Sequence, residues 1–333
     1  MSPNPPICAA PRVIGGSGLS APVEVRVEVR PPWPFRLGGG SADGLLRRRG
    51  AALQRLLRVS GEPVLVGVVQ PAGDRVLFAA RAATTGAAHE GIARMRFALA
   101  VDDDLRRFYD RFRDDRVIGR AVRSHPALRV RRKPYPWESL LAAITEQLIE
   151  FHRAAAIQRR LHAAYGYRCP QTGMRDATPS AALAVEAPAR LCAFELAPKR
   201  AVALRRCAAG VASGRIDVAD HDVRRLLAIR EIGPWTVEML ALHGHGRYDL
   251  VPAGDVGFLK IVGRLATGNP KARADEAEVR GFFEPYGEWK GLAGEYLRVA
   301  AASGLTPAPR SPGPRPRPAG TRWSAAGDRR VAA

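Results

Sequence analysis

Lysine is scarce in this chain. Only five Lys (133, 199, 260, 271 and 290) stand among the 52 Lys and Arg residues, and Arg makes up the rest. Acids are outnumbered as well, with 32 Asp and Glu and a formal net charge of +20. Such a balance disfavours a cationic partner and suits a polyanion, with nucleic acid ahead of a membrane surface. The alternative source of the imbalance is a genome that raises Arg everywhere. Cysteine is sparse too. Four Cys at 8, 169, 192 and 207 share no close spacing, which excludes a disulfide framework, a zinc knot and an iron–sulfur loop, and fits a reducing compartment.

Other absences narrow the field further. The start, MSPNPPICAAPRVIGG, has no basic residues followed by a long apolar run, and Arg12 interrupts its only candidate. No stretch approaches a membrane span. The expectation is a cytoplasmic protein with no membrane partner. LGGGSADG (37–44) lacks the Gly-Lys-Ser/Thr of a phosphate loop, and no Gly-x-Ser-x-Gly is present. His243 and His245 flank a glycine without a third ligand nearby in sequence, so neither a metal nor another cofactor is expected.

What is present divides into two textures between Pro-rich ends. Residues 1–20 and 305–333 read as disordered, the latter as a basic tail with six Arg. VEVRVEVR (23–30) alternates with period 2, as a half-buried strand does, and EPVLVGVVQ with DRVLFAARA reads as a hairpin around Pro-Ala-Gly. MRFALAV (95–101) is a fourth strand candidate. A helix is expected over 41–57, capped by Ser41 and carrying a stripe of Leu45, Leu46, Ala52, Leu53, Leu56 and Leu57. Residues 21–113 thus form an α+β unit with an antiparallel sheet. From 114 to 304 the pattern is helical. In YPWESLLAAITEQLIEF the positions 137, 140, 141, 144, 148 and 151 keep helical spacing, and 289–300 repeats the pattern.

Two stretches carry the chemistry. DVRRLLAIREIGPWTVEMLAL reads as helix, tight turn and helix, with Gly233 permitting the turn and Pro234 near the first position of the second helix. Exposed N–H groups at such a turn suit a phosphate oxygen, although helix pairs joined by Gly turns are also common as plain structure. Asp255, in VPAGDVGFLKIVGRL, opens an amphipathic helix and suffices as an N-cap without any further role.

Together these stretches resemble the helix-hairpin-helix DNA glycosylase superfamily, and more narrowly the bacterial 3-methyladenine DNA glycosylase II family. PYPWESLLAAITEQLIEFHRAAA (134–156) and PPWPF (31–35) extend the likeness, which covers roughly residues 21–304. The resemblance implies a monofunctional enzyme that flips an alkylated purine out of double-stranded DNA and works as a monomer in base excision repair. It implies a catalytic carboxylate at Asp255 and a base pocket containing Trp235 and Met239. DNA contacts are implied at Gln147, Leu148, Ile232, Gly233, Pro234 and Thr236. Leu148 takes either the place of the apolar wedge that fills the vacated stack or a place in the core stripe. Trp235 is either a wall of the base pocket or a core residue. Strand-nicking relatives carry a nucleophilic Lys where Trp235 stands. Four positions depart from the family pattern: Glu231 replaces a small residue, Glu146 a Gly, and Met239 and Arg298 replace aromatics found in some members. The other functional readings are a noncatalytic binder of distorted DNA and a glycosylase for oxidised or deaminated bases.

Overall fold

The computed structural model describes residues 22–221 and 223–307, so the expected N-terminal disorder and nearly all of the basic tail lie outside the described residues. The strands β1 (Val23–Val29), β2 (Leu46–Arg49), β3 (Ala52–Val59), β4 (Glu62–Ala72) and β5 (Arg75–Ala82) form one antiparallel sheet in the order β1-β5-β4-β3-β2. The helix α1 (Thr85–Leu99) lies across it, bringing Ile92, Met95 and Leu99 onto Val64, Val66 and Phe78. The expected strand β1 and the β4–β5 hairpin are present.

Two expectations fail here. The helix expected over 41–57 is the β2–β3 hairpin, and its Ser41 shapes a turn instead, its hydroxyl accepting from the Leu46 N–H at 2.9 Å. β3 misleads because both its faces are covered. Leu53 and Leu57 enter the sheet core, whereas Leu56 packs on Cys169 and Met174 of the body. Burial on both faces erases the alternation that marks a strand. The strand expected over 95–101 is the last turn of α1 and its exit, where Met95, Ala98 and Leu99 continue a buried helical face begun by Ala88 and Ile92.

The body is helical: α2 (Arg106–Phe112), α3 (Gly119–Ser124), α4 (Pro136–Glu146), α5 (Phe151–Tyr165), α6 (Ser180–Ala184), α7 (Pro188–Cys192), α8 (Pro198–Ala212), α9 (Arg224–Leu227), α10 (Pro234–Gly244), α11 (Val256–Thr267), α12 (Glu276–Phe283) and α13 (Lys290–Ala302), with a 3-10 segment (Glu284–Trp289) before the last. It is built on two cores. One holds Phe108, Ile118, Phe258, Phe283 and Tyr296; the other holds Leu140, Ile144, Leu161, Leu204 and Leu240. α10 lies between them, with Leu240 in the second core and Leu242 in the first. Leu105, Phe108 and Phe112, from the C-terminal end of the expected N-terminal unit, pack in the first of these cores. At the other end Leu305 still packs on the first core.

Sheet and body meet through a buried ion pair. Arg55 of β3 donates to Glu138 of α4 at 2.7 Å, and their side chains are 3% and 4% exposed. Removing one member of such a pair costs about 3–5 kcal/mol, because the other is left charged and unpaired. No helix among the described residues is long and apolar enough to cross a membrane.

Candidate DNA-binding and catalytic site

The hairpin forms as expected, but its geometry differs in one respect. The first helix is the short α9, and α10 starts at Pro234 with Gly233 as N-cap. Gly233 has φ −112° and ψ −177°, extended backbone that any residue adopts, whereas Glu231 carries the left-handed φ of +74°. The turn therefore does not need glycine at 233 for its backbone angles. What Gly233 supplies is room, since a Cβ added there would meet nothing within 4 Å. That open space lies at a helix N-terminus, where the first N–H groups have no partner within the helix and the dipole favours an anion.

The hairpin residues play unequal parts. Ile232 and Thr236 are 5% and 2% exposed and belong to the interior, and their N–H groups are spent on the carbonyls of Ile229 and Gly233, both at 3.0 Å. The Thr236 hydroxyl accepts from Gln147 Nε2 at 2.9 Å, and the same nitrogen donates to the Glu231 carbonyl at 2.9 Å. Gln147 thereby ties the end of α4 to the hairpin.

Leu148 follows directly, and here the helical stripe breaks. α4 ends at Glu146, and Leu148 has a left-handed φ of +56° with 95% of its surface exposed. It is not a core residue. Arg200 of α8 fixes this exit by donating to the carbonyls of Thr145 (3.2 Å) and Gln147 (2.9 Å), which leave the helix unpaired at its negative end. Sequence reasoning missed Arg200, whose only signal is a charge on a helix remote in the chain. Phe151, 59% exposed, extends the apolar protrusion. Burial raises the Glu146 carboxyl above its usual range, against a hydrogen bond from Gln158 at 3.2 Å.

Asp255 is the N-cap of α11. Its Oδ1 accepts from the N–H groups of Gly257 at 2.7 Å and Phe258 at 3.3 Å. The same oxygen lies 3.1 Å from Arg298 Nη2, with the two side chains 20% and 35% exposed. Three donors thus converge on Oδ1, and Oδ2 has no part in these bonds. The cap and a functional carboxylate are compatible: one oxygen anchors the group while the other stays available. Trp235 and Met239 are both partly buried on α10, and the indole Nε1 of Trp235 is buried without a hydrogen-bond partner.

Glu238 joins these parts and was not legible in the sequence. It is buried on α10, three residues after Trp235, and accepts from Arg280 of α12 at 2.6 Å, with the Ala253 backbone beside it. Burial raises its carboxyl against the opposing pull of Arg280. It thereby couples the helix bearing Trp235 to the loop bearing Asp255. The hairpin packs through Leu226, Ile232 and Val237 in one helical core, and the helix opened by Asp255 packs through Phe258 and Val262 in the other.

No family model matches the chain. Over 83% of this chain and 98% of the other, the fold matches a 3-methyladenine DNA glycosylase from Archaeoglobus fulgidus with TM-score 0.69 and 16% identity. It also matches a Clostridium acetobutylicum 8-oxoguanine glycosylase/lyase bound to double-stranded DNA, with TM-score 0.65 and 17% identity over 86% and 99% of the two chains. The chain shares the fold of these two proteins.

In sequence the chain resembles the 3-methyladenine enzymes. It is 28% identical over 262 residues to the "probable bifunctional transcriptional activator/DNA repair enzyme AlkA" of Mycobacterium tuberculosis, covering 75% of this chain and 52% of that protein. It is 25% identical over 207 residues to the DNA-3-methyladenine glycosylase of Bacillus subtilis, covering 59% and 67%. The chain spans about half the length of the first curated relatives it matches.

Proposed function

We propose that this protein is a monofunctional DNA glycosylase that excises alkylated purines from duplex DNA, acting as a monomer in base excision repair. The observation that carries the reading is Asp255: a carboxylate anchored through one oxygen at a helix N-terminus, in a fold that also presents a hairpin turn and an exposed leucine. The names of the curated relatives support alkylated bases as the substrate class.

The steps follow from these groups. The backbone at Gly233 holds a phosphate and positions the duplex without reading sequence. The damaged nucleotide turns out of the stack, since its glycosidic bond is unreachable within it, and Leu148 fills the gap. Departure of the base builds positive charge on the sugar, which the ionised Asp255 stabilises while orienting water. Alkylation at a ring nitrogen already makes the base a good leaving group, so a strong general acid is unnecessary. Trp235 offers an aromatic face to the flipped base, an attraction of about 0.5–2 kcal/mol for a cationic ring. Trp at this position cannot form a Schiff base, so the strand is not cut.

The test is base release from duplexes carrying single defined lesions. Release of alkylated purines is expected, with nicks only after hot alkali and no enzyme–DNA adduct trapped by borohydride. A trapped adduct would place a lyase nucleophile elsewhere in the chain. Release of 8-oxoguanine alone would move the enzyme to oxidised bases, and binding without release of any base would make it a noncatalytic binder.

The basic tail bears on affinity rather than chemistry. Residues 308–333 hold six Arg, and removing them leaves Leu305 in its core. That truncation is expected to lower nonspecific duplex affinity and flatten its salt dependence by ~0.9 per lost phosphate contact. The single-turnover excision rate at saturating enzyme should stay within about twofold, because phosphate contacts position the protein while the cleft does the chemistry. A large drop in that rate would make the tail part of the active complex.

A further inference from the structure

We propose that Arg298 sets the charge discrimination of the base pocket, reducing the advantage that a cationic base would gain beside an unpaired Asp255. The proposal rests on the reading that Asp255 faces the glycosidic bond.

Arg298 is held from several sides. Its Nη2 lies 3.1 Å from Asp255 Oδ1, and its Nε lies 3.6 Å from Glu295 Oε1, a looser contact. Its guanidinium carbon sits 4.1 Å from the centroid of the Phe258 ring. That ring is 1% exposed and meets Phe283 edge-on at 5.2 Å, so the platform is fixed. The guanidinium also passes over Gly257, where an added Cβ would come within 3.0 Å of Nη1. A side chain at 257 would crowd the arginine. Capping, stacking and the missing side chain thus converge on one arrangement: a positive charge parked on the acid, with both groups still partly exposed.

The consequence is electrostatic. A flipped base lies some ångströms from the carboxylate and meets the two opposite charges at similar distances, so a positive charge on the base gains little net attraction. A neutral base loses nothing by the pairing. The sugar cation that develops in the reaction forms against the free Oδ2, closer to the carboxylate than to the guanidinium, and keeps more of its stabilisation. Arg298 therefore subtracts from recognition of cationic bases more than from catalysis itself. Glu295 moderates the effect by sharing the guanidinium.

The experiment compares single-turnover excision by the full-length protein on two duplexes, one carrying 7-methylguanine, cationic in the nucleoside, and one carrying hypoxanthine, which is neutral. Arg298→Gln is expected to raise the ratio of the cationic to the neutral rate about tenfold. Arg298→Lys retains the charge and should leave the ratio within about threefold, even where both rates fall. Glu295→Gln frees the guanidinium charge and should lower the ratio, which keeps the test intact if Arg298→Gln does not fold. Equal loss on both lesions in Arg298→Gln, or an unchanged ratio in Glu295→Gln, would overturn the proposal and reduce Arg298 to a structural role. A wild-type protein that releases neither base sinks the glycosylase reading itself, and the proposal with it.

Discussion

Asp255→Asn is expected to lower base release at least ~100-fold, the scale on which loss of a single group stabilising transition-state charge is felt, while leaving the protein folded. The two effects separate because Asp255 has two tasks. As a cap, its Oδ1 accepts from Gly257 and Phe258, and an asparagine oxygen does this about as well. As a charge, in the proposed reaction, it opposes the developing sugar cation, which a neutral amide cannot do. Thermal stability and binding to an abasic-site duplex should therefore hold while excision collapses. Asp255→Ala supplies the control, since it also loses the cap at a cost of about 1 kcal/mol. Comparable turnover by the Asn variant would remove Asp255 from the mechanism. Activity lost only in step with stability across the two variants would leave the cap as its sole role.

The second large effect is expected at Leu148. Leu148→Ala should slow excision ~10- to 100-fold, since a wedge offsets part of the few kcal/mol that unstacking a base costs. Stability should change by less than about 0.5 kcal/mol, because the side chain is 95% exposed. Leu148→Gly should lose as much activity yet fold at least as stably, since glycine accepts the φ of +56° without strain. A core leucine would behave oppositely, losing about 2–5 kcal/mol on truncation to Ala. Normal excision by both variants would assign the wedge to another side chain, and the neighbouring Phe151 would be next to test.

Leu148 also shows where sequence reasoning ran out. Positions 137 to 151 keep helical spacing without a break, yet the helix stops at Glu146. The stop depends on Gln147 reaching Glu231 and Thr236 and on Arg200 reaching back from α8. Those contacts join residues far apart in the chain, and no local pattern encodes them. β3 failed for a related reason: its outer face is covered by Leu56 packing on Cys169 and Met174, so a strand carried the unbroken apolar texture of a helix. Where one face meets solvent, as in β1 with its alternating burial, the reading was right. The hairpin and the Asp255 cap were legible because turn and cap chemistry is written within a few residues. The partner of Asp255 was legible only in part: Arg298 stood out as a departure from the family pattern, but its pairing with Asp255 shows only in the fold that brings α13 over α11.

The ion pair between Arg55 and Glu138 has a consequence for how such a gene can shorten. Loss of its first hundred codons would remove the guanidinium and leave Glu138 of α4 without its counter-ion. Such a deletion is easier to survive once position 138 has become uncharged, because an acid that has lost its partner costs more than a neutral side chain in the same place.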